Sequence, residues 1–308
     1  MFNKLLFYFI SVLPFFCDGQ NNDTSLYVFQ QAEYELNEVQ KLLSSRDETQ
    51  RIEANKKFIS IWDRIVNNPK ILDYPFETIK EASVLKSKDN KFKLITWNLF
   101  KNDGTHAYFG YLLVNNSKRV KKGWFKHELE QEYEYFKLLD RSSTIKSPEN
   151  YVGATDKWFG MLYTQLIECD GFYTLIGWDG NDKLTQRKFV DVLYFKSDGT
   201  PVFGKDVFRL SRKNPRRLMF EYSSEVSMSL KYIEKEQRIV YSHLGSKQEN
   251  ALEGQFQFYG PDGSFDALEL SKDKWVTVED IDARNEKNKN DNAEKPNPKK
   301  QKPVFKPK

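Results

Sequence analysis

The chain has 308 residues, 39% hydrophobic, 15% aromatic and 30% charged, with a formal net charge of +4. That composition supplies a large aromatic core and excludes a collagen-like or wholly disordered chain. Residues 285–308 carry eight lysines against Glu286, Asp291 and Glu294, which leaves residues 20–284 at −1 and gives the body no electrostatic case for nucleic acid.

The N-terminal stretch MFNKLLFYFISVLPFFCDG reads as a signal peptide. Lys4 supplies the positive end, and Leu5 to Phe16 the apolar run. The small residues Cys17 and Gly19 place cleavage after Gly19, so the protein is expected to be exported, to the periplasm or beyond. A lipoprotein anchored at Cys17 is the alternative, although the bulky Phe16 before it is unfavourable. The apolar run is too short to span a bilayer, and no later segment could, so the mature chain is expected to have no membrane span. Removal of residues 1–19 leaves Cys169 alone and excludes an intramolecular disulfide. Cys169 reads as a small buried hydrophobe rather than a nucleophile.

Within 25–44, Phe29, Ala32, Leu36, Val39 and Leu43 recur at helical steps. Ser45 and Glu48 have capping-box spacing for a second helix, with Ile52, Phe58, Trp62 and Ile65 on one face and Asn67-Asn68-Pro69 as its stop. A helical hairpin over 20–70 follows.

From Ser83 the period becomes two. KFKLITWNLF, HAYFGYLLV, GMLYTQLIEC, FYTLIGW, KFVDVLYF, RLMFEYS and GQFQFYG read as strands. VSMSLKYI and RIVYSHL read as a hairpin. Short turns without alternating helices predict an antiparallel β-domain over 71–284. The segment 121–150 reads as an insertion with a helix over 128–139. The fold class is therefore α+β, mainly antiparallel β, with the helical hairpin packed on a sandwich- or barrel-like domain. A β-propeller is the alternative. Residues 285–308, rich in lysine and proline, read as a disordered basic tail. Six lysines and no acid from Lys295 onward suit anionic cell-envelope polymers as a partner.

Five Asp-Gly pairs, at 103, 170, 179, 198 and 262, suit hairpin tips. FKNDGTHAYFG (100–110) and FKSDGTPVFG (195–204) read as one hairpin recipe used twice. Neither Asp179-Gly180-Asn181-Asp182 nor Asp262 with Asp266 has EF-hand spacing, so no metal site is assigned. His106, His127 and His243 show no zinc-ligand spacing, and no nucleophile elbow, P-loop or dinucleotide fingerprint appears, so no cofactor is expected. The candidate catalytic residues are Glu221, an acid in an apolar strand, with Asp179 and His243. Exposed aromatics on a β-scaffold can stack on sugar rings, which makes Trp97, Trp178, Tyr222 and Tyr259 the candidate ligand-binding residues, beside Trp158 and Trp275.

YTLIGWDGND (173–182), RKFVDVLYF (187–195), PVFG (201–204), RRLMFEYSSEVSMSLKY (216–232), IVYSHL (239–244), FYGPDGSFDAL (258–268) and DIDARN (280–285), with KFKLITWNL (91–99), resemble a family of exported proteins of unknown function from Bacteroidetes-type bacteria. The resemblance spans roughly residues 70–285. It implies export and no activity or catalytic set. In that family's pattern an acidic residue precedes the histidine of IVYSHL, where this chain has Ser242. The expected function is an exported, envelope-associated binding or structural protein, more a binder than an enzyme. An exported carboxylate-based hydrolase, acting for example on glycans, is the alternative.

Overall fold

The computed structural model describes residues 20–122, 126–130, 132–210, 214–246, 248 and 254–282. Expectations for residues 1–19 and for 285–308 lie outside the described residues.

Helix α1 is Gln20–Gln40 and α2 is Glu48–Ile65. Phe29, Ala32 and Leu36 are buried, as their spacing predicts, and pack with Phe58, Ile61, Trp62 and Ile65 of α2. Two details differ from expectation. Asp47, not Ser45, caps α2, because its carboxylate accepts from the Thr49 N–H at 2.8 Å while Ser45 Oγ pairs with Gln50. Ile52 is exposed, and its expected place on the inner face is taken by Arg51, Ala54 and Asn55.

Sixteen strands follow among the described residues. Sheet 1 contains β1 (Ser83–Lys86), β2 (Phe92–Phe100), β3 (His106–Asn115) and β6 (Tyr133–Leu139), in the order β1-β2-β3-β6. Strands β4 (Lys118–Lys122) and β5 (Lys126–Glu130) form a separate hairpin. The helix expected over 128–139 is thus two strands. Leu129, Tyr133 and Phe136 fall at steps of four and three, which imitates a helical face, but pairing of β6 with β3 decides the conformation. Tyr133 turns to the helices, donating to Val66 O at 2.6 Å, while Phe136 and Leu138 face the opposite way.

Sheet 2 contains β7 (Leu162–Cys169), β8 (Phe172–Asp179), β9 (Thr185–Phe195), β10 (Pro201–Phe203) and β12 (Leu218–Ser223). Sheet 3 is β11 (Phe208–Arg209), β16 (Lys274–Val278), β15 (Tyr259–Ser271), β14 (Arg238–Ser246) and β13 (Leu230–Ile233) in that order. Among the described strand pairs only the short β11–β16 pair is parallel. The β13–β14 hairpin sits where the pattern predicts, though β13 begins at Leu230 rather than Val226. Phe256–Phe258 of the expected strand GQFQFYG is a 3-10 turn that leads into β15.

The layers stack as helices, sheet 1, sheet 2 and sheet 3, with a hydrophobic core at each junction. Ile95, Trp97, Tyr111 and Leu113 face the helices. Phe92, Leu94 and Leu112 meet Tyr163, Leu175, Phe189 and Phe203 between sheets 1 and 2. Ile176, Val190, Val192 and Leu218 meet Leu230, Ile239, Leu268 and Trp275 between sheets 2 and 3. Because sheets 1 and 2 are covered on both faces, β2, β8 and β9 read as nearly continuous apolar runs. The stack is α+β and mainly antiparallel, and forms neither a closed barrel nor radial blades among the described residues. No helix among them is long and apolar enough to cross a membrane, and the single cysteine described, Cys169, is free.

The two FK-x-DGT segments make the same turn. Gly104 donates to Lys101 O and Thr105 N–H to Asp103 Oδ1; Gly199 and Thr200 repeat both bonds with Lys196 and Asp198. Each glycine has φ near +90°, which a side chain resists (+92° and +86°). Asp262-Gly263 is instead a bulge within β15 opposite His243, not a hairpin tip.

Sheet 1 also buries a lysine. Lys93 is 1% exposed, and its Nζ donates to Ile71 O at 2.6 Å and Tyr74 O at 2.5 Å. Burial, reinforced by nearby Lys86, pushes its ammonium down to about 7. The unfolded chain therefore binds more protons than the folded one between pH 7 and the ordinary lysine range. Stability from this group rises with pH across that window and is flat below it. Between pH 7 and 8.5 the native protein should gain on the order of 1 kcal/mol over Lys93→Met. Urea unfolding at each pH checks this, and parallel pH dependences would refute it.

Candidate functional site

Most of the candidate aromatics are interior. Trp97 and Tyr222 are 0% and 2% exposed, and Trp158 and Trp275 are equally enclosed, so none of these forms a stacking rim. The physical reason is double-sided coverage of the sheets, which turns residues on both strand faces into core. Trp178 is half-buried, with its edge against His106 and its Nε1 donating to Gln186. Tyr259 is half-buried against Phe256 in sheet 3. The four candidate aromatics lie in three different sheets and build no common platform.

Register across sheet 2 does bring Asp179 and Glu221 to one place. Asp179 on β8 is opposite Arg187 on β9, which is opposite Glu221 on β12. Arg187 Nε donates to Glu221 Oε2 at 2.7 Å, and its Nη1 lies 3.7 Å from Asp179 Oδ2. Asp179 Oδ1 also accepts from the Tyr108 hydroxyl and the Asn181 N–H, each at 2.8 Å. Glu221 Oε1 accepts from the Thr185 hydroxyl at 2.9 Å. Burial raises the Asp179 carboxyl above its usual range, against the pull of these donors. A hydrolytic pair needs an open cleft between its carboxylates; here a guanidinium links them. His106 packs beside this cluster, held below its ordinary pKa by burial, and its ring lies where a side chain on Gly180 would have to be.

His243 is elsewhere. The bulge in β15 lets its Nδ1 approach Asp262 Oδ2 at 2.6 Å on the surface, apart from the Asp179–Arg187–Glu221 cluster in sheet 2. Hydrogen bonding to Asp262 raises His243, while the Ser264 N–H and His243 hold Asp262 at about 2. The acid beside this histidine thus comes from across the bulge rather than from position 242. Burial pushes the Cys169 thiol up to about 11, away from nucleophilic use. Among the described residues no group of three or more His, Cys, Asp or Glu is placed to hold a metal ion.

The site the sequence does not announce is the loop between β6 and β7. It runs through three short 3-10 turns, Ser142–Thr144, Pro148–Asn150 and Thr155–Lys157. Irregular backbone of this kind needs external anchors, and Arg217 supplies them. Its Nη1 donates to Pro148 O at 3.2 Å, and the Arg216 and Arg217 N–H groups both donate to Glu149 O. Its guanidinium lies 5.9 Å from the Tyr151 ring centre and 5.6 Å from that of Phe159, while Nε donates to buried Asp191 at 2.9 Å. Asp191 in turn accepts from the Tyr163 hydroxyl at 2.7 Å.

The anchored loop borders an open surface cavity of about 710 Å³ whose lining includes Arg141, Thr144, Ile145, Lys146, Tyr151 and Lys157. The three cations are exposed and form no ion pair among the described residues, and no carboxylate lines the cavity. Such a concave surface holds anions through charge and hydroxyl donors, with Tyr151 and Ile145 as apolar contacts. No family model, no curated protein and no solved structure matches this chain.

Proposed function

We propose that this chain is an exported, envelope-associated binding protein that holds an anionic ligand in the groove of the 140–158 loop. The observation that carries the reading is the meeting of Arg141, Lys146 and Lys157 on one cavity without a carboxylate in its lining. Unpaired cations on a concave wall concentrate anions and give salt-sensitive affinity. The lysine-rich residues 285–308 add charge of the same sign and suit anionic envelope polymers as the partner. The apolar N-terminal stretch ending in Cys17 and Gly19 supports export, as does the resemblance to an exported family. Binding rather than hydrolysis is favoured because Asp179 and Glu221 are both committed to Arg187.

The test is titration of the full mature chain with polygalacturonate, polyglutamate and polyphosphate at low and high salt. Replacing the groove cations together (Arg141→Gln, Lys146→Gln, Lys157→Gln) should weaken the preferred polyanion about tenfold or more, 1.4 kcal/mol, with the tail intact. The urea midpoint should stay unchanged, because all three side chains are exposed. Equal affinity of native and variant protein at both salts would remove the groove from consideration. Mass spectrometry of the mature protein should find Gln20 at its start; an intact Met1 would overturn export.

A further inference from the structure

The groove continues. A second cavity of about 590 Å³ shares Ser147 and Asn150 with the first and runs on past Leu210, Asn214 and Met219. Its wall also holds Arg217, whose buried Nη2 has no hydrogen-bond partner among the described residues. The two compartments differ in chemistry. The first is cationic, and the second presents the amides of Asn150 and Asn214 and the acid Glu149 beside aliphatic side chains.

We infer that the ligand is an acidic oligosaccharide of at least three units, with a charged disaccharide in the first cavity and the following units in the second. This rests on the anion-binding reading above. A cavity of 300–1,000 Å³ already houses a drug-sized ligand, so the two adjoining cavities together exceed what a disaccharide needs. Sugar rings carry hydroxyls at their edges and an apolar face, which suits Ser147, Asn150 and Asn214 beside Leu210, Met219 and Tyr151. An acidic peptide is less well served. Peptides commonly add to a free strand edge, and the loop's own backbone is occupied, with Pro148 O and Glu149 O accepting from Arg217 and Tyr151 N–H bonded to Pro148 O.

The experiment is calorimetric titration of the full chain with digalacturonate, hexagalacturonate and hexaglutamate. The hexasaccharide should bind at least tenfold more tightly than the disaccharide, above the few-fold statistical gain from extra registers. Asn214 is exposed, so Asn214→Trp fills the second cavity without disturbing the core. That variant should lose the length advantage and keep the disaccharide affinity. Equal affinities for the two sugars, or a length advantage that survives Asn214→Trp, would overturn the two-cavity assignment while leaving anion binding standing. Tighter binding of hexaglutamate than hexagalacturonate would overturn the glycan assignment. Failure of every anion to bind would overturn the anion-binding reading, and this inference with it.

Discussion

Arg217→Ala is expected to cost about 3–5 kcal/mol of stability, among the largest losses available to any single substitution in this chain. Arg217 and Asp191 are both 0% exposed, and their ion pair at 2.9 Å lies between the first two sheets and the groove loop. Deleting the guanidinium leaves a buried carboxylate with no cation beside it, held by the Val192 N–H on one oxygen and the Tyr163 hydroxyl on the other. It also removes the contacts to Tyr151 and Phe159 and the bond to Pro148 O. The double variant Arg217→Met with Asp191→Leu should be less destabilised than Arg217→Ala, because no unpaired charge remains. Urea unfolding of the three proteins decides the matter. A single variant within 1 kcal/mol of native, or a double variant worse than the single, would refute the account.

The second large effect belongs to Trp97. Its indole is fully buried, stacked on Phe109 at 5.7 Å and Tyr111 at 6.0 Å and edge-on to Phe58, and its Nε1 donates to Asn55 at 2.8 Å. Trp97→Ala should cost about 3–5 kcal/mol through the cavity it opens, and should strand a buried amide on α2. Trp97→Phe keeps most of the packing and should cost about 1–3 kcal/mol, the penalty for leaving Asn55 without its donor. A surface platform residue would shift stability by no more than about 0.5 kcal/mol. Chemical denaturation therefore separates a core role from a ligand-stacking one, and a near-neutral alanine variant would restore the latter.

Local periodicity carried much of the architecture. Alternation located the main strands, three- and four-residue steps located the two helices, and the FK-x-DGT turns formed where their sequences place them. The failures have physical causes. Residues 128–139 satisfy two periods at once, and only the partner strand β3 chooses between them. Burial of aromatics followed from stacking three sheets, a tertiary fact that no single strand pattern contains. Glu221 was visible as an acid in an apolar strand and Asp179 as part of an Asp-Gly turn, but Arg187 joins them only through strand register. Arg141, Lys146 and Lys157 went unnoticed because residues 140–158 have no period, and Asp140, Glu149 and Asp156 balance their charge in sequence. A clue was present in the apolar and aromatic residues Ile145 and Tyr151 set among those cations.

The central position of β9 gives the Asp191–Arg217 pair a second role. That strand pairs with β8 on one side and with both β10 and β12 on the other, and each of its faces is covered by a core. Both faces are apolar, so hydrophobicity alone distinguishes poorly between the native alignment and one slipped by a residue. A slip would carry Asp191 away from both Tyr163 and Arg217 and into the core of Val190, Val192 and Leu268. One buried charge thus makes the wrong alignment of the middle sheet costly.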